Sequence, residues 1–152
     1  MTWLAWTARG RTPLDSVYGL LPEAYARHRE LAEQLWRPGL VDPVVLELCR
    51  LRIARLLRCE PELAARTPAA RAAGLTESKI SRLADWPTAP GYSAAERAAL
   101  AYAELFVIDP GAVTDELAAD VTAYFTPPRA AALTLAIAVF DAIARFQVAL
   151  EV

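Results

Sequence analysis

The placement of proline constrains this chain more than any other feature of its sequence. Pro22, Pro43, Pro61 and Pro127 each stand at the head of an apolar run, the last three directly behind Asp42, Glu60 and Thr126. The first turn of a helix has N–H groups with no intrahelical partner, so a residue without one is tolerated there. Deeper in a helix or a central strand the same residue breaks the hydrogen-bond ladder. The remaining punctuation agrees. Residues 21–36 repeat apolar side chains at Leu21, Tyr25, Leu31 and Leu35, and Pro38-Gly39 ends them. Asp42-Pro43 caps an apolar helix over 44–58, and Glu60-Pro61 starts another that Gly74 terminates. Thr76 caps a short helix to Leu83, followed by a proline-rich loop over 86–91. Ser93 and Glu96 form a capping box for a helix to about Val107, closed by Asp109-Pro110-Gly111. Thr114 opens a helix to about Tyr124, and Thr126-Pro127 opens the last, to about Leu150. No segment alternates with period two. The chain is expected to be all-α, a single-domain bundle of about seven helices.

Two places leave alternatives open. Pro68 falls inside the helix that begins at Pro61, so that helix either kinks or restarts at Thr67-Pro68. Residues 1–18 carry Trp3 and Trp6 with little pattern. They read as an arm, packed on a neighbouring subunit or serving as a local lid, ahead of a helical core over 19–150.

With 152 residues, 55% of them hydrophobic and 22% charged, the chain is large enough to bury one core without staples. Its formal net charge is −2, and basic residues are dispersed among acidic ones. Neither nucleic acid nor an anionic membrane is therefore an expected partner. The N-terminus lacks a basic start, and Arg9 and Arg11 come too soon for the apolar segment of a secretory signal. The longest apolar stretch, 130–140, is shorter than the ~20 residues that span a bilayer. The expected location is the cytoplasm. Cys49 and Cys59, ten residues apart, would lie roughly 15 Å apart on one helix, beyond the ~7 Å limit for a disulfide.

Chemistry concentrates between Glu47 and Gly74. Glu47 interrupts a helix that is apolar nearly all round, and a buried carboxylate needs a partner. Arg50 is near, and Arg58, eleven residues on, returns to the same face. The alternative is an exposed helix edge tied to Arg50 or Arg55. Twelve residues after Glu47 comes Cys59, followed by Glu62-Leu63-Ala64-Ala65-Arg66 and a small-residue segment ending Arg71-Ala72-Ala73-Gly74-Leu75-Thr76-Glu77.

Over roughly residues 18–150 this pattern resembles the alkylhydroperoxidase D-like and carboxymuconolactone decarboxylase superfamily. Its redox branch carries Glu, then twelve residues later Cys-x-x-Cys-x-x-x-His, then a small-residue helix ending Gly-Leu-Thr. Glu47 and Cys59 match; Glu62 stands at the second cysteine and Arg66 at the histidine. Residues 93–103 resemble the family's post-motif helix, and 133–146 its long terminal helix. Glu62 cannot resolve a sulfenic acid, and Arg66 cannot relay protons as a histidine does. A dithiol peroxidase is therefore not expected. The decarboxylase branch carries Glu-Leu-x-x-His, which residues 62–66 reproduce except for the last.

That likeness implies a cofactor-independent, non-redox enzyme acting on a small organic acid or lactone. Glu47 would be its general base or acid, with a pKa raised by apolar surroundings. Arg66 would grip a carboxylate or stabilise an enolate-like charge. Cys59 and Glu62 would shape the pocket, Glu62 and Arg66 being i and i+4 on a helix, as are Asp141 and Arg145 farther on. His28, the only histidine, projects onto the face of Leu21, Tyr25 and Leu35, pointing inward or at an edge. It is either a satisfied core histidine or a substrate contact. One histidine and two separated cysteines offer no metal site. Two other readings compete: a non-catalytic binding or scaffold protein with a degenerate site, and single-cysteine peroxide or thiol chemistry at Cys59. The resemblance also implies a homo-oligomer, a trimer or hexamer.

Overall fold

The structure is a computed structural model and describes residues 3–5 and 10–152. Its helices are α1 (Pro13–Tyr18), α2 (Pro22–Leu35), α3 (Pro43–Leu57), α4 (Glu60–Ala64), α5 (Pro68–Ala72), α6 (Glu77–Ser81), α7 (Ala94–Ile108), α8 (Asp115–Tyr124) and α9 (Pro127–Leu150). Short 3-10 turns occupy Leu83–Asp85 and Pro110–Ala112. Among the described residues there are nine α-helices, against about seven expected, and no strand. One extra helix is α1, within the patternless arm. The other comes from Pro68, which does not kink a helix but starts one: Ala65 and Thr67 are extended, and α5 begins behind them. A residue before proline is driven out of the helical region by the proline ring, which accounts for Thr67.

The core is built around α3, whose Leu46, Leu48, Leu51 and Ile53 are at most 1% exposed. It packs against α7 and α9. Ala98, Ala99 and Ala103 let α7 come close, while α9 contributes Leu133, Ala136, Ile137 and Phe140. A second cluster holds Leu48 and Leu51 against Leu83, Trp86, Tyr92 and Leu100. At 24 residues α9 is by length and composition long and apolar enough to cross a membrane, longer than the 130–140 stretch expected. In this fold it serves as a core helix, although Leu135 and Val148 on its outer side remain exposed.

α3 stops at Leu57 because Arg58 turns left-handed, with φ 56°. Cys59 therefore lies beyond the helix that carries Cys49, and both thiols are free and buried. The arm packs on its own chain. Tyr18 stacks on Tyr25, His28 and Phe146 at 5.1, 5.3 and 5.1 Å between ring centroids. Trp3 donates from Nε1 to the Ala149 carbonyl at 2.9 Å. Trp6 and Arg9, also part of the expected arm, lie outside the described residues.

The capping box forms as expected. The Glu96 N–H donates to Ser93 Oγ at 3.1 Å, and the Ser93 N–H donates to Glu96 Oε2 at 2.7 Å. Lys79 Nζ also grips Glu96, at 2.6 and 2.8 Å. Ser93→Ala is expected to cost about 1 kcal/mol. That corresponds to a fall of roughly 2–4 °C in the melting temperature of a chain this size, read by thermal denaturation.

Candidate functional site

The site grows from α3. Glu47 sits on its second turn with no exposed surface, and Arg50 follows one turn later on the same side. The two side chains meet in a fork: Arg50 Nε donates to Glu47 Oε2 at 2.9 Å and Nη2 donates to Oε1 at 2.8 Å. Thr67 closes the other side. Its backbone N–H donates to Glu47 Oε1 at 2.9 Å and its hydroxyl donates to Oε2 at 2.6 Å. The carboxylate thus accepts four hydrogen bonds, its full complement.

Arg50 is equally complete. Beyond Glu47, its Nη1 donates to the Glu62 carbonyl and to Glu62 Oε2, both at 2.7 Å. Its Nη2 donates to the Ala65 carbonyl at 2.9 Å. All five guanidinium N–H groups therefore have acceptors. Glu62 continues the chain of bonds: Gln147 of α9, 3% exposed, donates from Nε2 to Glu62 Oε1 at 2.6 Å.

The electrostatics depart from the expectation for Glu47. Burial pushes its carboxyl upward, but the hydrogen bonds and charge of Arg50 and the two donors of Thr67 outweigh burial. The net result is a pKa below the ordinary 4.5, where a raised one was expected. Apolar surroundings raise a carboxyl only if no cation shares the burial, and here one does. Arg58, considered as a partner, is exposed; the eleven-residue projection assumed a helix that ends at Leu57.

The Glu62–Arg66 pair is also corrected. α4 ends at Ala64 and Ala65 is extended, so residues 62 and 66 do not share a helix face. Glu62 turns to Arg50 and Gln147, while Arg66 forks onto Glu77 at 2.9 and 3.1 Å and donates to the Leu63 carbonyl at 2.6 Å. Asp141 and Arg145 do pair, at 2.8 Å.

The five candidates do not share one site. Glu47 and Arg66 line a pocket of ≈ 220 Å³ with Thr67, Arg71, Leu75 and Ile80. Cys59 lines a second, of ≈ 240 Å³, with Arg58, Glu60 and Gln147. The network Thr67–Glu47–Arg50–Glu62–Gln147 runs from one pocket to the other, and Glu62 is part of it. His28 borders neither: it lies against Tyr18, and burial pulls its pKa down. Burial raises both thiols, Cys49 to about 12. For Cys59 the Glu62 backbone N–H and the Arg50 charge only partly offset burial, and the Glu62 carboxylate adds to it.

Thr67, Gln147 and Glu77 are the members that sequence reasoning missed. Gln147, polar in an otherwise apolar run, carried the same signal that singled out Glu47. Among the described residues no group of three or more His, Cys, Asp or Glu could hold a metal ion.

Comparisons with known proteins agree with this architecture. Residues 22–105, more than half of the chain, match the profile of the Carboxymuconolactone decarboxylase family. The chain is 33% identical over 114 residues to the uncharacterized protein YnjA of Escherichia coli strain K12. That match covers 74% of this chain and 62% of YnjA, less than two thirds of the relative's length. A crystal structure from Agrobacterium tumefaciens superposes with a TM-score of 0.73 at 23% identity, covering 89% of this chain and 92% of that one. It is described as a protein of unknown function, and the likeness is one of fold. The chain belongs to the carboxymuconolactone decarboxylase family and has the alkylhydroperoxidase D-like fold.

Proposed function

We propose that this chain is a non-catalytic binding protein for a small organic anion, whose ancestral reactive centre has become a closed structural network. The observation that carries the reading is saturation. Glu47 has no lone pair left with which to take a proton, and Arg50 has no N–H left with which to hold a substrate. The ligand would enter the ≈ 220 Å³ pocket, a size suited to a molecule of a few carbon atoms. There Arg71 is exposed and shares the carboxylate field of Glu77, which also lines the pocket, while Arg66 is hydrogen-bonded to that same carboxylate. Leu75 and Ile80 offer an apolar wall to the ligand's body.

A second reading, a cofactor-independent acid–base enzyme on the same class of molecule, is favoured by one observation: Glu47 lines the pocket that Arg66 also lines. Two measurements separate the readings. Calorimetry with a panel of small mono- and dicarboxylates is expected to show binding that Arg71→Met weakens about tenfold, the loss of roughly one charge-assisted hydrogen bond. Assays of hydroperoxide reduction and of lactone or β-keto acid turnover are expected to give no activity. Turnover by the wild-type chain of any of these substrates would establish the enzyme instead. A chain that binds no anion is not the protein proposed.

Single-cysteine chemistry at Cys59 has less support, because the thiol is 1% exposed and its pKa is raised. Self-association belongs to the proposal as well, through α9, where Leu135 and Val148 are exposed. A monomer in light scattering overturns that part.

A further inference from the structure

We propose that α4 is a gate over the Cys59 thiol, held shut by a polar clasp of Glu62, Arg50 and Gln147. α4 is five residues long and none of them is buried. Only half-buried Leu63 packs against the core. A helix of one turn with so little apolar anchorage does not hold its place by packing. Yet Cys59, at its head, is 1% exposed. Four hydrogen bonds of 2.6–2.9 Å supply the anchorage: Arg50 on α3 donates to the Glu62 carbonyl, to Glu62 Oε2 and to the Ala65 carbonyl at the end of α4, and Gln147 on α9, 85 positions away in sequence, donates to Glu62 Oε1.

The flanks are suited to hinging. On one side Arg58 holds a left-handed conformation and on the other Ala65 is extended, so neither α3 nor α5 continues into α4. The ≈ 240 Å³ pocket beside Cys59 is walled by Glu60 and Pro61 of α4 and by Gln147. Loosening the clasp at Gln147 would therefore let one wall of that pocket swing outward more often and present the sulfur to a small electrophile. Cys49 has no such route, since it lies in the middle of α3 with no exposed surface. The inference is independent of the anion pocket: loss of anion binding leaves it standing.

Native-state labelling with N-ethylmaleimide, followed by peptide mass mapping, tests the gate. The reagent adds to the sulfur without a leaving group, so the rate reports the open fraction multiplied by the reactivity of the free thiol. In the wild type, Cys59 is expected to label slowly and Cys49 not at all. Gln147→Leu keeps the bulk and removes one donor; Cys59 labelling should rise about tenfold, the factor that accompanies ~1.4 kcal/mol. Glu62→Ala, which removes both side-chain bonds of the clasp and leaves only the bonds to backbone carbonyls, should raise it further, with Cys49 still unlabelled. Unchanged Cys59 rates in both variants overturn the proposal. So does parallel labelling of Cys49 and Cys59, which marks whole-chain opening. Should Glu62→Ala fail to fold, Gln147→Leu decides alone, because it breaks a single hydrogen bond.

Discussion

Glu47→Ala will destabilise the fold by about 3–5 kcal/mol, the cost of taking one carboxylate out of a buried ion-pair network and leaving four donors without their acceptor. In a chain of this size that lowers the melting temperature by roughly 6–20 °C. The reason lies in what remains. Arg50 keeps its charge in a site where its side chain is 9% exposed, and two of its five donors point at an emptied space. Thr67 loses the acceptor for both its backbone N–H and its hydroxyl. Glu47→Gln offers little relief. Each carboxylate oxygen receives two donors, so the amide NH₂ must face donors wherever it is placed. The loss has a pH signature too. Because Glu47 is held below its ordinary 4.5, it contributes stability that is present above that value and fades as pH falls through the folded pKa. Glu47→Ala should therefore show a flatter decline of stability below about pH 4.5 than the wild type. Denaturant titrations at several pH values read both effects. A loss under 1 kcal/mol would mean that the network is not what holds α3 to the Ala65–Thr67 segment.

The family and the helical frame were legible because their signals are local. Pro43 behind Asp42, and Ser93 with Glu96, specify helix starts through contacts within one turn, and those starts appear where expected. The burial of Glu47 was legible only as one of two alternatives, because the pattern equally allowed an exposed edge tied to Arg50 or Arg55; the structure buries it. What failed was projection along helices that do not continue. Arg58 was carried to the face of Glu47, and Arg66 to that of Glu62, by counting turns across residues that break the helix. Neither break carries a glycine, the usual mark of a helix end. Arg58 adopts the left-handed conformation without one, and Ala65 is extended two residues ahead of the pre-proline Thr67. The partners of Glu62 were beyond reach for a different reason. Gln147 is 85 positions distant, and only the packing of α9 against α3 brings it there. Sequence spacing named the right segment and two right pairs, Glu47 with Arg50 and Asp141 with Arg145, but not the partners of Glu62 and Arg66. The difference matters chemically, because the pairs decide that Glu47 is ionised and saturated rather than neutral and available.

Arg50→Met should produce the largest change in pH behaviour of any single substitution in the chain. It removes the cation shared by Glu47 and Glu62 and strips five donors from the centre of the network. The loss at neutral pH is expected to be about 3–5 kcal/mol, since Glu47 is then an unpaired buried charge. The direction of its pKa reverses with it: burial, the one large influence raising that pKa, is left opposed only by Thr67. A carboxyl whose folded pKa lies above its unfolded value contributes stability that is full below the unfolded pKa and is lost as pH rises through the folded one. Arg50→Met should thus gain stability on mild acidification toward pH 4.5, over a range in which this site contributes no such gain to the wild type. The double variant Glu47→Leu/Arg50→Met separates charge from shape. With both ions replaced by apolar groups of comparable size, it should lose less than the sum of the two single changes, by roughly 1–3 kcal/mol of coupling. Strict additivity of the two, or an Arg50→Met variant with the wild-type pH profile, would show that Glu47 does not depend on Arg50 for its charge. Glu47 would then return as a candidate acid in the pocket beside Arg66.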